Sequence, residues 1–299
     1  MLCKGCKFKD IIEAVGNTPV VKITKVIDVP GVEVYAKLEG YNPGGSVKDR
    51  IAKFMIEGAE KDGRLDHKMT IMEPSSGNTG IGLAMICAAK GYKLEIIMPE
   101  TMSIERRKII ASMGAEIILT PGDEGMNGAI ARSDELAKRA CYFMPNQFAN
   151  PDNVRAHYEG TGVEILEQIG HVDVFVAGLG TSGTLMGVGR RLREHNPNIK
   201  VIAVQPFPKS KIQGLKSLDE GYIPPIYDES VVTETQIVRD DEAFAMARRL
   251  MKEEGVSAGI SSGAAIAEAA RQAKHLGEGT LVVVLPDRAE RYVSTALFE

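Results

Sequence analysis

Asn42-Pro43-Gly44-Gly45-Ser46-Val47-Lys48-Asp49-Arg50 joins a turn signal directly to the start of a helix. Apolar or small residues follow at helical spacing, which predicts an amphipathic helix that ends near Asp62: Ile51, Phe54, Met55, Gly58 and Ala59. Ser46 is the predicted N-cap, because its hydroxyl can accept a hydrogen bond from a first-turn N–H. Lys48 then lies at the positive end of the helix dipole, which favours its neutral amine. A neutral lysine can form an imine with an aldehyde; the alternative is an ordinary solvated lysine.

The composition is typical of a globular protein. Its 299 residues are 44% hydrophobic and 25% charged, and their length suggests about two domains. The net charge of −4, with basic residues spread along the chain, argues against nucleic acid and anionic membranes as partners. No apolar run approaches the ~18 residues of a transmembrane helix, and the N-terminal residues lack the apolar core of a signal peptide. These features predict a cytoplasmic protein.

The cysteines give little indication of a metal or redox site. Cys3 and Cys6 form one C-x-x-C, but no second ligand pair follows at zinc spacing and no strand precedes it. We expect a dispensable or weakly redox-active terminus. Cys87 lies within an apolar helical pattern and is predicted to be buried.

Predicted strands and helices alternate along almost the whole chain. The strands are predicted at 33–38, 70–73, 94–99, 116–121, 142–145, 172–177, 199–205 and 280–286, and later helices include 126–141, 154–169, 240–254 and 262–276. The long irregular stretch 206–228 predicts a functional loop. This alternation predicts an α/β protein with parallel sheets covered by helices and ligands at the carboxyl ends of the strands. A turn signal at Asn150-Pro151 suggests a boundary between two similar halves with a cleft between them.

Two glycine-rich turns, at residues 75–80 and 178–184, each join a predicted strand to a predicted helix. Both place backbone N–H groups at a helix N-terminus, a geometry that binds anions. The second turn adds the hydroxyls of Thr181, Ser182 and Thr184. Each turn is a candidate anion site, and the alternative for each is a plain tight connection.

The second turn also matches the dinucleotide fingerprint G-x-G-x-x-G through Gly178, Gly180 and Gly183. That fingerprint requires an acidic residue about 20 positions further on, at the end of the next strand, to bind the ribose. The next strand instead ends Val204-Gln205-Pro206. The turn is therefore interpreted as a cup for a phosphate rather than for a dinucleotide.

Other catalytic motifs are missing from the sequence. It contains no P-loop and no Gly-x-Ser-x-Gly elbow, its five histidines lack metal-ligand spacing, and no metal is predicted. A third polar turn, Gly259-Ile260-Ser261-Ser262-Gly263, opens a helix. One imine-forming lysine, a phosphate cup, an asparagine-bearing turn and a serine-bearing turn together match the needs of pyridoxal 5′-phosphate.

The motifs that carry this chemistry resemble the cysteine synthase family of fold-type II pyridoxal-phosphate enzymes. The matching segments are 42–50, 73–80, 98–107, 180–184, 259–264 and 290–298, and the similarity extends from Ile11 onward. The resemblance implies two similar three-layer αβα domains, as in the β subunit of tryptophan synthase, with the cofactor in the cleft between them. The smaller domain, expected to be mobile, would comprise residues 42–150, and the larger one residues 11–41 plus 151–299. A cytoplasmic homodimer is also implied.

The same resemblance implies the roles of the site residues. Lys48 would carry the imine with the cofactor, Asn78 would contact the 3′-oxygen of its ring, and Ser261 would meet the pyridine nitrogen. The phosphate would be held by Gly180, Thr181, Ser182, Gly183 and Thr184. The substrate carboxylate would bind the turn of Ser75, Ser76, Asn78 and Thr79, with Gln147 nearby. Ser75 replaces the usual threonine and Ser182 the usual glycine of the family, and both changes keep or add a hydroxyl.

The activity implied is β-replacement of the O-acetyl group of O-acetyl-L-serine by sulfide, to give L-cysteine and acetate. Lys48 would act as the general base on the Cα proton. Ser261 would leave the ring nitrogen unprotonated, which favours β-elimination over transamination or racemisation.

The choice of donor substrate stays open in the sequence. The segment 212–224 resembles the cysteine synthase B branch, in which a basic residue at the position of Lys216 binds the phosphate of O-phosphoserine. O-Acetylserine is the expected donor and O-phosphoserine the alternative, with Lys216 otherwise a solvated loop lysine. Further alternatives are cystathionine β-synthase or serine dehydratase activity, or a non-catalytic module that docks the tail of a serine acetyltransferase.

Overall fold

The computed structural model describes residues 7–299, which contain two separate β-sheets. The strands are β1 (Val20–Ile23), β2 (Val32–Leu38), β3 (Thr70–Pro74), β4 (Lys93–Pro99), β5 (Glu116–Thr120), β6 (Tyr142–Phe143), β7 (Val174–Gly178), β8 (Lys200–Pro206), β9 (Glu234–Val238) and β10 (Gly279–Leu285). The α-helices are α1 (Lys48–Lys61), α2 (Asn78–Lys90), α3 (Ile104–Ser112), α4 (Gly125–Leu136), α5 (Pro151–Ala156), α6 (Gly162–Ile169), α7 (Gly183–His195), α8 (Asp240–Arg249) and α9 (Ile260–Leu276). None of these helices combines the length and the apolar character needed to traverse a bilayer. The predictions for Cys3 and Cys6 lie outside the described residues.

Each sheet is covered by helices on both faces. The smaller sheet has the order β5-β4-β3-β6 and is parallel throughout. The larger sheet has the order β1-β2-β10-β7-β8-β9, and only the β1–β2 pair is antiparallel. Apolar side chains of α8 and α9 pack on one face of the larger sheet and those of α6 and α7 on the other. Helices α1 and α2 cover one face of the smaller sheet and α4 covers the other. The α/β fold with parallel sheets is therefore confirmed.

The carboxyl ends of four strands meet around one cleft. β2, β10 and β7 are parallel neighbours, so they end at the same edge of the larger sheet. β2 leads through a 3₁₀ turn to Lys48, β10 leads to Asp287, and β7 leads into the turn 178–184. β3 of the smaller sheet leads to Asn78. Open α/β sheets bind their ligands at such carboxyl ends.

Several predicted boundaries are wrong, and two strands are missing from the prediction. The helix predicted over 126–141 ends at Leu136, and the one predicted over 154–169 is interrupted by a π-helical turn at His157–Thr161. The unpredicted strands β1 and β9 both lie at an edge of the larger sheet. Most of their residues are only partly buried or exposed, so their apolar pattern is weak.

Cys87 is buried in the core of the smaller sheet, as predicted. Burial raises the pKa of its thiol to about 12. The thiol therefore stays protonated at neutral pH and behaves as a small apolar side chain.

Candidate active site

Lys48 is the first residue of α1, and the predicted N-cap of this helix is wrong by one residue. Val47, not Ser46, is the N-cap residue; the Ser46 hydroxyl instead accepts the backbone N–H of Lys48 at 3.2 Å. The cause is a tertiary contact, because the N–H of Val47 donates to the carbonyl of Pro286 at 2.8 Å and draws this segment against the end of β10. Burial lowers the pKa of Lys48, and the charges of Asp287 and Glu39 only partly oppose this. The site therefore favours the neutral amine.

Asp287 links the lysine to the asparagine turn and was not identified from the sequence. Its Oδ2 accepts hydrogen bonds from Asn78 Nδ2 at 2.6 Å and from the Tyr292 hydroxyl at 2.7 Å. Its backbone carbonyl accepts the N–H of Gly259, which caps α9. Burial raises the pKa of the Asp287 carboxyl, and the two side-chain hydrogen bonds oppose that rise. A carboxylate directly after a strand was the signal in the sequence.

The turn 178–184 forms a cradle at the N-terminus of α7. Ser182 adopts a left-handed backbone conformation with φ of 71°, and its buried hydroxyl has no hydrogen-bond partner among the described residues. Gly183 is required by close packing, since a Cβ there would come 1.8 Å from Asn153 Oδ1. Backbone N–H groups at a helix start, beside an unpaired hydroxyl, fit a phosphate group.

The cradle is hydrogen-bonded to the other predicted substrate residues. Asn153 Nδ2 donates to Thr181 Oγ1 at 3.0 Å and to the backbone carbonyl of Gln147 at 2.7 Å. The Thr79 hydroxyl donates to Gln147 Oε1 at 2.6 Å. Gln147 therefore connects the turn at the start of α2 with the cradle at the start of α7.

His157 lies behind the cradle and was also not identified from the sequence. Its ring lies 2.9 Å from the Thr161 hydroxyl through Nδ1 and 3.3 Å from the Thr184 hydroxyl through Nε2. It is buried, and burial lowers its pKa to about 3, so the imidazole is neutral. Helix α7 leaves room for this packing at Gly187, where a Cβ would come 2.6 Å from the Cβ of His157.

The turn 75–80 is held by hydrogen bonds at the N-terminus of α2. The Ser75 hydroxyl accepts the N–H groups of Gly77 and Gly80 at 3.4 and 3.1 Å, and the first turn of α2 contains no acidic residue. The carbonyl of Ser76 accepts a hydrogen bond from Arg106, which also reaches Gln213 Oε1 at 2.7 Å. The turn is thus fixed from both sides, and its helix dipole remains available to a carboxylate.

Ser261 is the second residue of α9, a helix that begins earlier than predicted. The serine is buried beside Gly214, where a Cβ would come 3.9 Å from its hydroxyl oxygen. Gly214 in turn packs against the cradle, since a Cβ at Gly180 would lie 2.6 Å from its carbonyl oxygen. The serine and the cradle therefore lie on one side of the cleft.

The ammonium group of Lys216 lies beside two aromatic rings, and its backbone N–H donates to the carbonyl of Leu179 in the turn 178–184 at 2.8 Å. Its ammonium nitrogen is 5.2 Å from the ring centre of Phe148 and 5.5 Å from that of Tyr222. The rings meet edge to face, with their centres 5.8 Å apart. Because Phe148 directly follows Gln147, this cation lies near the predicted substrate residues.

Comparison with known proteins gives one consistent family. A model of the pyridoxal-phosphate dependent enzyme family matches residues 11–287. A cysteine synthase of Staphylococcus aureus is 50% identical over 299 residues, which cover 97% of this chain and 96% of that protein. The crystal structure of a cysteine synthase from Entamoeba histolytica has a TM-score of 0.94 at 41% identity, and covers 100% of this chain and 93% of that one. A hydrogen sulfide-producing enzyme of Fusobacterium nucleatum has a TM-score of 0.90 at 46% identity, and covers 96% of this chain and 100% of that one.

Proposed function

Because the chain belongs to the pyridoxal-phosphate dependent enzymes, we propose that it is a cysteine synthase. It replaces the O-acetyl group at Cβ of O-acetyl-L-serine by sulfide and releases L-cysteine and acetate. The observation that carries this proposal is the convergence of Lys48, Asn78 and the turn 178–184 at the carboxyl ends of strands that meet at one cleft.

The residues of the cleft fit pyridoxal phosphate. The unpaired hydroxyl of Ser182 and the open N-terminus of α7 suit its phosphate, and the lowered pKa of Lys48 suits a covalent link to its aldehyde. Asn78 would hold the ring 3′-oxygen, and the Ser261 hydroxyl the ring nitrogen. When bound, the cofactor supplies an electron sink for bond cleavage at the substrate Cα.

Proton transfer and substrate binding are then carried out by groups of the protein. Lys48 Nζ takes the proton from Cα of the donor, for which a neutral amine is required. The N-terminal N–H groups of α2 and the amide of Gln147 hold the donor carboxylate. The neutral Ser261 hydroxyl places no full charge on the ring nitrogen, which limits side reactions such as transamination.

The visible absorption of the purified protein tests the cofactor claim. With pyridoxal phosphate added, the wild type should show an absorption band in the visible range, and Lys48→Ala should lose both the band and the activity. Lys61→Ala, at the exposed far end of the same helix, is the matched control and should keep both. A wild type without the band would contradict the cofactor assignment.

O-Phosphoserine is a second candidate donor, favoured by the cation of Lys216 beside Phe148. If Lys216 binds the donor phosphate, Lys216→Ala should lower kcat/KM for O-phosphoserine by about 10- to 100-fold more than for O-acetylserine, because a hydrogen bond between charged groups is lost. Lys211→Ala, an exposed lysine of the same loop, is the control. An equal effect on both donors would remove Lys216 from the phosphate site.

The assembly and the domain division are proposed on the same family basis. We expect a cytoplasmic protein that forms a homodimer, and light scattering would measure the mass of the assembly. Co-purification would test whether a serine acetyltransferase docks on it. The mobile smaller domain would comprise residues 42–150, which include the whole of the four-stranded sheet. The remaining residues from Ile11 onward would form the larger domain.

A further inference from the structure

Glu73, near the end of β3, is a buried carboxylate that the reaction described above does not use. It is only 1% exposed, and no described cation contributes to its pKa. A buried carboxylate without a counter-ion is costly unless hydrogen bonds compensate. Here Oε2 accepts the N–H of Asn146 at 2.8 Å, and Oε1 accepts the N–H of Gln147 at 3.1 Å.

The turn that Glu73 holds is conformationally unfavourable. Asn146 has a φ of 53°, in the left-handed region, which asparagine adopts more readily than other non-glycine residues but less readily than glycine. Such a conformation persists only where its surroundings fix it. Two hydrogen bonds from one rigid, buried carboxylate fix the backbone at this residue and the next.

The position of this backbone decides where the Gln147 side chain points. Gln147 Oε1 accepts a hydrogen bond from the hydroxyl of Thr79 in the turn 75–80, which is proposed to bind the donor carboxylate. The backbone carbonyl of Gln147 accepts a hydrogen bond from Asn153 Nδ2. Asn153 also donates to Thr181 of the phosphate cradle. A shift of the Asn146–Gln147 backbone would therefore be transmitted first to the α2 turn and, through Asn153, to the cradle.

We propose that Glu73 is a positioning residue for the donor-carboxylate subsite, acting through the backbone of Asn146 and Gln147. The proposal rests on the function proposed above and deepens it. Burial raises the pKa of Glu73 to about 7, whereas the two backbone N–H groups and the Gln147 amide lower it. The ionised carboxylate accepts both N–H groups, while the protonated acid has one oxygen fewer to offer.

The test uses holoenzyme and two probes that differ only in the carboxylate. L-Alanine has the amino and carboxylate groups of the donor without a leaving group, and L-alanine methyl ester lacks the anion. Binding of each is followed by the shift in the cofactor's absorption. Glu73→Gln should weaken L-alanine binding about tenfold, because one N–H acceptor is lost, and should leave the ester unchanged. It should also raise KM for O-acetylserine more than it lowers kcat.

The control is Glu95→Gln on the adjacent strand β4, where the Tyr142 hydroxyl is the carboxylate's only hydrogen-bond donor within residues 7–299. It should leave L-alanine binding within about twofold. Gln147→Ala removes the side chain that Glu73 positions, so combining it with Glu73→Gln should add little further loss. The single variant Gln147→Ala should show the same selective loss of L-alanine binding, and this measurement does not depend on whether Glu73→Gln folds.

The outcomes separate the two proposals. Equal loss for alanine and its ester, no loss for either, or additive effects of Glu73→Gln and Gln147→Ala would overturn the role of Glu73. Failure of the wild type to bind L-alanine with any spectral change would instead overturn the proposed cofactor site. Selective loss of alanine binding, shared by Gln147→Ala, would support the proposal.

Discussion

Replacing Glu39 by glutamine should strongly destabilise the protein. Two acids and two bases form what we call the charge cluster: Glu39, Lys37 and Arg50 are buried, and Glu164 is partly buried. Glu39 is fully buried and accepts Arg50 Nε at 2.6 Å and Nη2 at 2.9 Å. Its removal leaves two buried cations facing one carboxylate.

The expected loss is about 3–5 kcal/mol of unfolding free energy, the usual cost of breaking one partner out of a buried ion pair. Coulomb's law gives about 4 kcal/mol for one pair at 4 Å with an effective dielectric constant near 20, which agrees. Since whole domains are stable by only about 5–15 kcal/mol, this is a large fraction. The thermal midpoint should fall by roughly 10 °C.

The assay is thermal and urea unfolding followed by circular dichroism, with holo and apo protein compared. Glu33→Gln is the matched control. Glu33 lies on β2, six residues before Glu39, and forms a 2.6 Å ion pair with Lys22. Both side chains of this pair are about half exposed. The control substitution should cost about 1 kcal/mol or less. If both variants lose the same unfolding free energy, burial does not determine the cost of breaking an ion pair, and the prediction is refuted.

Two further predictions concern the cradle and pH. Gly183→Ala places a Cβ 1.8 Å from Asn153 Oδ1. It should reduce cofactor retention after dialysis by roughly 5- to 150-fold, the equivalent of about 1–3 kcal/mol of overpacking, while the fold persists. Unchanged retention would contradict the assignment of the cradle. The pKa of Glu164 is lowered by Arg50 and Lys37 despite burial, so stability present above its unfolded pKa should be lost as the pH falls below about 4.5. The pKa of Glu73 is raised to about 7, so its contribution has the opposite sign: stability should fall as the pH rises from about 4.5 to 7. Urea midpoints against pH would show both effects, and Glu73→Gln should flatten only the second.

Periodicity and turn chemistry were sufficient to predict the α/β alternation and the two glycine-rich turns that join β3 to α2 and β7 to α7. Lys48 could be predicted at a helix N-terminus because a turn signal and an apolar helical face are both local properties. The exact cap could not, because it depends on a backbone contact between Val47 and Pro286, which are far apart in sequence. The resemblance to a known family, rather than the pattern alone, supplied the roles of Asn78 and Ser261.

Three residues that could not be identified from the sequence are positioned by tertiary packing. Asp287, His157 and Glu73 acquire their environments only when distant elements meet. The π-helical turn that carries His157 has no local signature, and its packing depends on the small side chain of Gly187 in another helix. Edge strands β1 and β9 escaped prediction because neither has a continuous apolar run.

The strand order has a consequence for the biosynthesis of the protein. The smaller sheet is built from residues 70–143, so its contacts are complete while most of the larger sheet is still being synthesised. β10, however, inserts between β2 and β7, and it delivers Asp287 to the segment around Lys48. Pairing β2 with β10 closes a loop of most of the chain, which makes it a slow, late step in folding. The segment around Lys48 therefore meets Asp287 only once β10 has paired with β2.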